Sequence, residues 1–280
     1  MKTLGKWAAL LLAGILATSA LAADKQLRIG TLATKNSLYH RQLMELGEAW
    51  RTAQGGNAKY LVYPDGSQGG ETDMVRRMRI GQLQGGLLSV VGLREIEPSI
   101  AALQNMPLMF RNWEEVDYVR EKMRPAMEKK FLDKGFVVLA WGDAGWVRFF
   151  SKEPAVRPDD FKKMKFFAWG SEIEQQEIMK SLSYTPVPLE TGDILPSIQT
   201  GMINAVPSTP YFALATQIYT TASNMLELNW APIVGALIIT KKAWDDLTPE
   251  GQAAVREAGA KAGVQLRAKE HDRDALLAAG

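Results

Sequence analysis

Two periodic patterns of hydrophobic and polar residues alternate along the chain. Stretches of continuous or alternating apolar residues, typical of strands, are followed by stretches in which apolar residues recur every three or four positions, as in amphipathic helices. Tyr39, Leu43, Leu46 and Trp50 show the helical spacing. The segments predicted as strands are 26–32, 59–63, 87–91, 136–141, 147–150, 165–169 and 233–239. This alternation predicts an α/β fold with a largely parallel sheet and ligands at the carboxyl ends of strands.

The halves of the chain are not separated by a linker rich in Gly, Ser or Pro, so we expect two lobes joined by several crossings rather than by a flexible tether. The predicted first lobe comprises residues 24–146 and 234–272. The predicted second lobe comprises residues 147–233 together with 273–280. Such an arrangement suits a hinge around a ligand cleft.

The first 23 residues have the pattern of a signal peptide. Lys2 and Lys6 precede an apolar stretch over residues 7–16, and Ala20-Leu21-Ala22 fits the small-x-small rule for signal peptidase. A membrane anchor is the alternative, but a span needs about 20 apolar residues. We therefore predict cleavage after Ala22 or Ala23 and a periplasmic location.

Composition excludes several classes of function. The chain carries 33 Lys and Arg against 31 Asp and Glu, so there is no basic excess to neutralise nucleic-acid phosphates. It contains no cysteine, which excludes disulfides, thiolate catalysis and cysteine-ligated metals. Only two histidines, His40 and His271, are available for a transition metal. We expect no metal, no cofactor and no nucleic-acid partner.

Motifs of common enzymes are missing from the sequence. It contains no G-x-S-x-G elbow, P-loop, G-x-G-x-x-G run after a strand or H-E-x-x-H pair. The acid pairs Asp159-Asp160 and Asp245-Asp246 lie at predicted helix ends, where capping explains them. His40, near the start of the first helix, is open to a structural or a cleft-lining role. We do not expect an enzyme.

Several stretches, read in order, resemble the DctP-type solute-binding subunits of tripartite ATP-independent periplasmic (TRAP) transporters. These stretches are Tyr63-Pro64-Asp65-Gly66-Ser67-Gln68-Gly69-Gly70-Glu71, Met106-Pro107-Leu108-Met109-Phe110, Gly145-Trp146-Val147-Arg148, Asp160-Phe161-Lys162-Lys163-Met164-Lys165, Pro186-Val187-Pro188-Leu189 and Gln199-Thr200-Gly201. The resemblance implies two α/β domains around a hinged ligand cleft, binding without catalysis, and delivery of the ligand to an inner-membrane transporter component. A monomer is expected.

The sequence departs from that family at one position of the implied site. Family members usually carry an arginine on the strand after the lysine-rich segment, where it pairs with a ligand carboxylate; here the position is Phe167. A second family arginine corresponds to Arg148. Phe166 and Phe167 alternate across a strand, so one is expected to face the cleft unless both serve only packing. We therefore expect an apolar or amphipathic ligand, such as a lipid, a sterol or a terpenoid.

Eight residues are predicted to bind the ligand. They are Arg148, Phe167, Trp169, Ser208, Asn204, Tyr211, Trp146 and His40. An apolar wall is expected if the rings of Phe166, Trp169, Trp146, Tyr211, Phe212 and Trp230 converge. Two alternatives stay open: a small organic acid held by Arg148 alone, and a binding fold recruited as an enzyme or a sensor.

Overall fold

The computed structural model describes residues 26–56 and 58–279, so the predicted signal peptide lies outside the described residues. The strands are β1 (Gln26–Thr31), β2 (Lys59–Tyr63), β3 (Gly85–Ser89), β4 (Phe136–Trp146), β5 (Arg148–Ser151), β6 (Lys165–Trp169), β7 (Thr185–Leu189), β8 (Ala205–Ser208), β9 (Asn224–Leu226) and β10 (Pro232–Thr240). The helices are α1 (Leu38–Ala53), α2 (Glu71–Arg79), α3 (Val90–Leu93), α4 (Trp113–Asp133), α5 (Pro158–Lys162), α6 (Ile173–Ser181), α7 (Ile194–Thr200), α8 (Pro210–Ala215), α9 (Lys241–Asp245) and α10 (Pro249–Ala279).

The strands form two five-stranded sheets, one in each lobe. The first lobe is built on the order β2-β1-β3-β10-β4 and the second on the order β7-β6-β8-β5-β9. Helices accompany both sheets, and the α/β fold with two lobes is confirmed. In the described part of the chain, no helix combines the length and the apolarity that a membrane crossing needs.

Both sheets are mixed, and the expectation of a largely parallel sheet is wrong. In the first sheet β1 runs parallel to β2 and β3, but β10 runs antiparallel to both β3 and β4. In the second sheet β6 is parallel to β7 and β8, whereas β5 is antiparallel to β8 and β9. The reason is topological: β4 leaves the first lobe and β10 returns to it, so the two strands must run in opposite directions.

The central strands are buried on both faces. Val138 packs into one hydrophobic cluster of the first lobe and its neighbours Val137 and Leu139 pack into the other, as the alternation of a strand requires. Phe166 and Phe167 divide in the same way between the two clusters of the second lobe. Strands covered on both sides are continuous apolar runs, which is why the sequence signals them clearly.

Two hydrogen-bonded segments and a long helix connect the lobes. The N–H of Val147 donates to the carbonyl of Ala231 at 2.8 Å, and the N–H of Trp230 donates back to the carbonyl of Val147 at 3.0 Å. The pairing of β4 with β10 thus continues through the crossing point. Helix α10 packs along β4 and α1 and also contacts α8 of the second lobe.

Candidate ligand-binding site between the lobes

Arg148 is the first residue of β5, directly after the crossing segment, and its side chain is buried. Only 4% of the residue is exposed, and among the described residues Nε and Nη1 have no hydrogen-bond partner. The remaining nitrogen, Nη2, donates to Asn229 Oδ1 over a long distance of 3.4 Å. A buried guanidinium with unsatisfied donors is costly unless another group accepts from it, so this side chain is poised to bind an anion.

Sheet register fixes what lies beside Arg148. It stands opposite Ser208, the last residue of β8, in the antiparallel pair of β5 and β8. Ser208 is also buried, and its hydroxyl makes only a 3.5 Å contact with the carbonyl of Thr209. Arg148 and Ser208 therefore supply a cation and a hydroxyl at the same end of the second sheet.

An ion pair joins the lobes. Arg94, at the end of α3, donates from Nη1 to Glu172 Oε1 at 3.1 Å, at the start of α6. Burial raises the pKa of the Glu172 carboxyl above its usual value, and the positive charge of Arg94 offsets part of that effect. Desolvation of the carboxylate thus exceeds the attraction that it gains.

A second carboxylate of the second lobe, that of Glu190, lies against the first lobe. A methyl group on Gly70, which precedes α2, would be 2.6 Å from Glu190 Oε2, so this carboxylate lies close to the backbone of the first lobe. Burial, followed by the charges of Asp73 and Asp193, raises the pKa of Glu190. The contact between the lobes therefore places carboxylates near one another.

The third contact between the lobes is aromatic. The rings of Tyr39 on α1 and Tyr211 on α8 lie 5.8 Å apart. The hydroxyl of Tyr39 donates to the carbonyl of Asp143 at 2.6 Å, and the carboxylate of Asp143 accepts from Arg120 Nη1 at 2.5 Å. These hydrogen bonds fix the position of Tyr39, the first-lobe partner in the aromatic contact.

The two phenylalanines of β6 do not divide between core and cleft. Phe166 packs against Phe149, Phe161 and Tyr184. Phe167, which is 3% exposed, packs in the other cluster of the second lobe, with its ring 4.8 Å from that of Trp169. Because β6 lies between two strands and is covered on both faces, each ring has a packing position. This favours the alternative that both rings serve packing.

The structure does not support the predicted apolar wall, because its rings are divided among four hydrophobic clusters. Trp146 packs in the core of the first lobe, 5.1 Å from the ring of Trp113. Trp230 lies 5.4 Å from the ring of Phe149. Phe166 also contacts Phe149, so it shares this cluster with Trp230. Trp169 and Phe212 pack against a third cluster, and Tyr211 packs against a fourth. The rings stabilise the lobes and do not form one surface.

Two further predicted residues have local roles. Asn204 precedes β8, at the end opposite Ser208, and its side-chain oxygen accepts from the N–H of Lys165 at 2.6 Å. It joins β6 to β8 and does not approach Arg148. His40 lies half-buried in the first turn of α1, where its N–H donates to the capping Ser37. Among the predicted residues, the structure pairs Ser208 with Arg148 across β5 and β8.

Sequence reasoning missed Asn229, Glu172 and Glu190. Each is a single polar residue in a connecting segment and belongs to no motif, so its position becomes evident only when the lobes are placed together. Within the described ranges, no group of three or more His, Asp or Glu side chains is arranged to hold a metal ion.

Comparison with known proteins identifies the family. Residues 29–278 match DctP, described as bacterial extracellular solute-binding protein, family 7. A solute-binding protein of Sulfitobacter sp. (strain NAS-14.1) is 24% identical over 267 residues, covering 94% of this chain and 80% of its own length. A TRAP periplasmic solute-binding protein from Sulfitobacter sp. NAS-14.1, solved with β-D-galacturonate, superposes with a TM-score of 0.82 at 23% identity, covering 90% of this chain and 84% of its own. The corresponding protein from Pseudomonas putida F1, solved with D-glucuronate, gives 0.81 at 20% identity, with 90% and 83% covered. The chain therefore belongs to the DctP family of bacterial extracellular solute-binding proteins.

Proposed function

We propose that this protein binds a small organic acid in the cleft between its lobes, with the ligand carboxylate on Arg148, and delivers it to a membrane transporter component. The observation that carries the proposal is the buried guanidinium of Arg148, whose Nε and Nη1 donors are unpartnered in the described part of the chain. A carboxylate supplies the acceptors and the charge that such a group needs.

The proposal specifies a ligand with one carboxylate. Arg120, the other buried arginine with an unpartnered nitrogen, already pairs with Asp143 and Asp117. Phe167 stands where the family resemblance implies the arginine that usually pairs with a ligand carboxylate, and a phenyl ring offers no donor. The related proteins with galacturonate and glucuronate have bound acids that carry a single carboxylate, which agrees with this choice.

The test is to titrate the purified protein with D-glucuronate, D-galacturonate, succinate and octanoate, and to compare wild type with Arg148→Met. Losing charge-assisted hydrogen bonds costs about 1.5–3 kcal/mol, so affinity for the bound acid should fall about 10- to 150-fold. Arg157→Met, which removes an exposed arginine of the same lobe, should leave affinity unchanged. Unchanged affinity in Arg148→Met together with lower thermal stability would make Arg148 a structural residue.

The alternative ligand is apolar or amphipathic, such as a lipid, a sterol or a terpenoid. It is supported by Phe167 standing where the family usually has an arginine, and it is weakened by the packing of that ring in the core. Binding of cholesterol or octanoate, with no response to either uronate, would favour it. A Phe167→Arg variant that gains affinity for succinate would then show that this position selects the ligand.

Export is part of the same proposal. The predicted signal peptide over residues 1–23 should be removed in the cell, which sequencing the amino terminus of the periplasmic protein would show. A mature protein that begins at Met1 would contradict this step.

A further inference from the structure

Asn229 is the only described residue that accepts a hydrogen bond from the side chain of Arg148. It lies between β9 and β10, in the segment that returns from the second lobe to the first. The acceptor is a neutral amide oxygen, and the distance of 3.4 Å is at the long end for a hydrogen bond. Asn229 therefore contacts the guanidinium without neutralising its charge.

The backbone beside Asn229 is fixed from two directions. Trp230 donates its N–H to the carbonyl of Val147 at 3.0 Å, next to Arg148 itself. The carbonyl of Trp230 accepts from the N–H of Leu108, in the first lobe, at 2.8 Å. Leu108 has a φ of 59°, a left-handed conformation that a leucine rarely adopts, so this loop has a specific backbone geometry at the contact.

We propose that Asn229 is a positioning residue for anion binding: its amide oxygen holds one nitrogen of Arg148 so that the other donors face the ligand. The inference rests on the proposed function, since it assigns Asn229 to the carboxylate site of Arg148. An aspartate at this position would place a competing carboxylate on the guanidinium, whereas asparagine orients the cation and keeps its charge for the ligand.

The decisive variant is therefore Asn229→Asp. The introduced carboxylate should pair with Arg148, so affinity for D-glucuronate and the other probe acids falls by about tenfold or more. The same ion pair should raise the melting temperature of the ligand-free protein by about 2–4 °C. A residue with a merely structural role would not change affinity and stability in opposite directions. Asn105→Asp, which adds the same charge at an exposed site of the first lobe, should change neither.

A double-mutant cycle gives a readout that needs no ligand. In an Arg148→Met background, Asn229→Asp should no longer raise the melting temperature, because its partner is absent. Equal effects in the two backgrounds, or an unchanged affinity for the acids in Asn229→Asp, would overturn the inference. If no probe acid binds the wild type, the proposed function fails, and the cycle alone decides whether Asn229 contacts and orients Arg148.

Discussion

Arg94 and Glu172 form an ion pair across the lobes, with Nη1 3.1 Å from Oε1. The Glu172 side chain is 8% exposed, and the arginine side chain is 27% exposed. The Glu172 carboxylate has thus lost most of its hydration and has one charged partner, Arg94. Contact between the lobes at this point depends on that partner being present.

Arg94→Met should open the lobes, because it leaves the Glu172 carboxylate desolvated and unpaired. Full burial of a broken pair costs about 3–5 kcal/mol, and the exposure of Arg94 reduces this to about 1–2 kcal/mol. Small-angle scattering of the ligand-free protein should show a larger radius of gyration. Adding Glu172→Gln should restore compaction, and Arg124→Met, in an exposed pair with Glu121, serves as the control. No change in scattering for Arg94→Met would contradict the role of the pair.

Glu190 should make the contact between the lobes sensitive to pH. Burial and the nearby Asp73 and Asp193 raise its pKa, so the folded protein binds this proton more tightly than the unfolded chain. Protonated Glu190 therefore contributes to the free energy of unfolding at low pH. This contribution is lost as the pH rises from the ordinary glutamate pKa near 4.5 through the raised pKa of the folded protein.

Glu190→Gln should therefore raise the melting temperature at pH 7 and lose this advantage near pH 4.5. The carboxylate is largely exposed, so the gain should stay below about 1 kcal/mol. Thermal unfolding across this pH range measures it, with the exposed Glu174→Gln as a control. An equal difference in melting temperature between Glu190→Gln and wild type at every pH would show that the contact does not raise the pKa of Glu190.

Arg120→Met should destabilise the first lobe. Arg120 is 2% exposed and pairs with Asp143, which is also buried, so the substitution leaves an uncompensated carboxylate in the core. The expected loss is about 3–5 kcal/mol in the free energy of unfolding, measured by urea denaturation. Arg124→Met, one turn further along α4, should cost less than about 1 kcal/mol. Equal losses in the two variants would contradict the importance of the buried pair.

Gly47→Ala should also destabilise the first lobe, for a steric reason. A methyl group at this position of α1 would lie 2.3 Å from the ring of Tyr60 on β2. Overpacking costs about 1–3 kcal/mol, and the better helix propensity of alanine returns up to about 1 kcal/mol. Gly192→Ala, which would meet no atom within 4 Å, should leave the urea midpoint nearly unchanged. An equally stable Gly47→Ala protein would mean that Tyr60 can move aside.

The sequence allowed prediction of the fold class and most elements of the first lobe, because β4 and β10 are long apolar strands and α1 and α4 carry capping side chains. In the second lobe β5 and β6 were predicted, whereas β7, β8 and β9 were not. In β7, Pro186 and Pro188 mask the pattern, which an edge strand tolerates because one side of it needs no hydrogen bonds. β9 has only three residues, which is too few for a periodic signal.

The candidate site was predictable only in part. Arg148 could be found because it corresponds to an arginine of the family that the sequence resembles. Burial of Phe167 in a core cluster was not predicted, because alternation along a strand distinguishes two faces but cannot tell which faces are covered. Asn229 gave no signal, since its contact with Arg148 arises from the pairing of distant segments.

The paired crossing segments constrain how the lobes can move. Val147 and Ala231 are hydrogen-bonded where the chain passes between the lobes, so the two crossing segments form a two-stranded ribbon and should move together. A ribbon bends readily across its flat face and resists sliding of one strand past the other. Opening and closing should thus follow a single rotation axis, and Arg148, next to that ribbon, should keep its place while the far rims of the cleft travel.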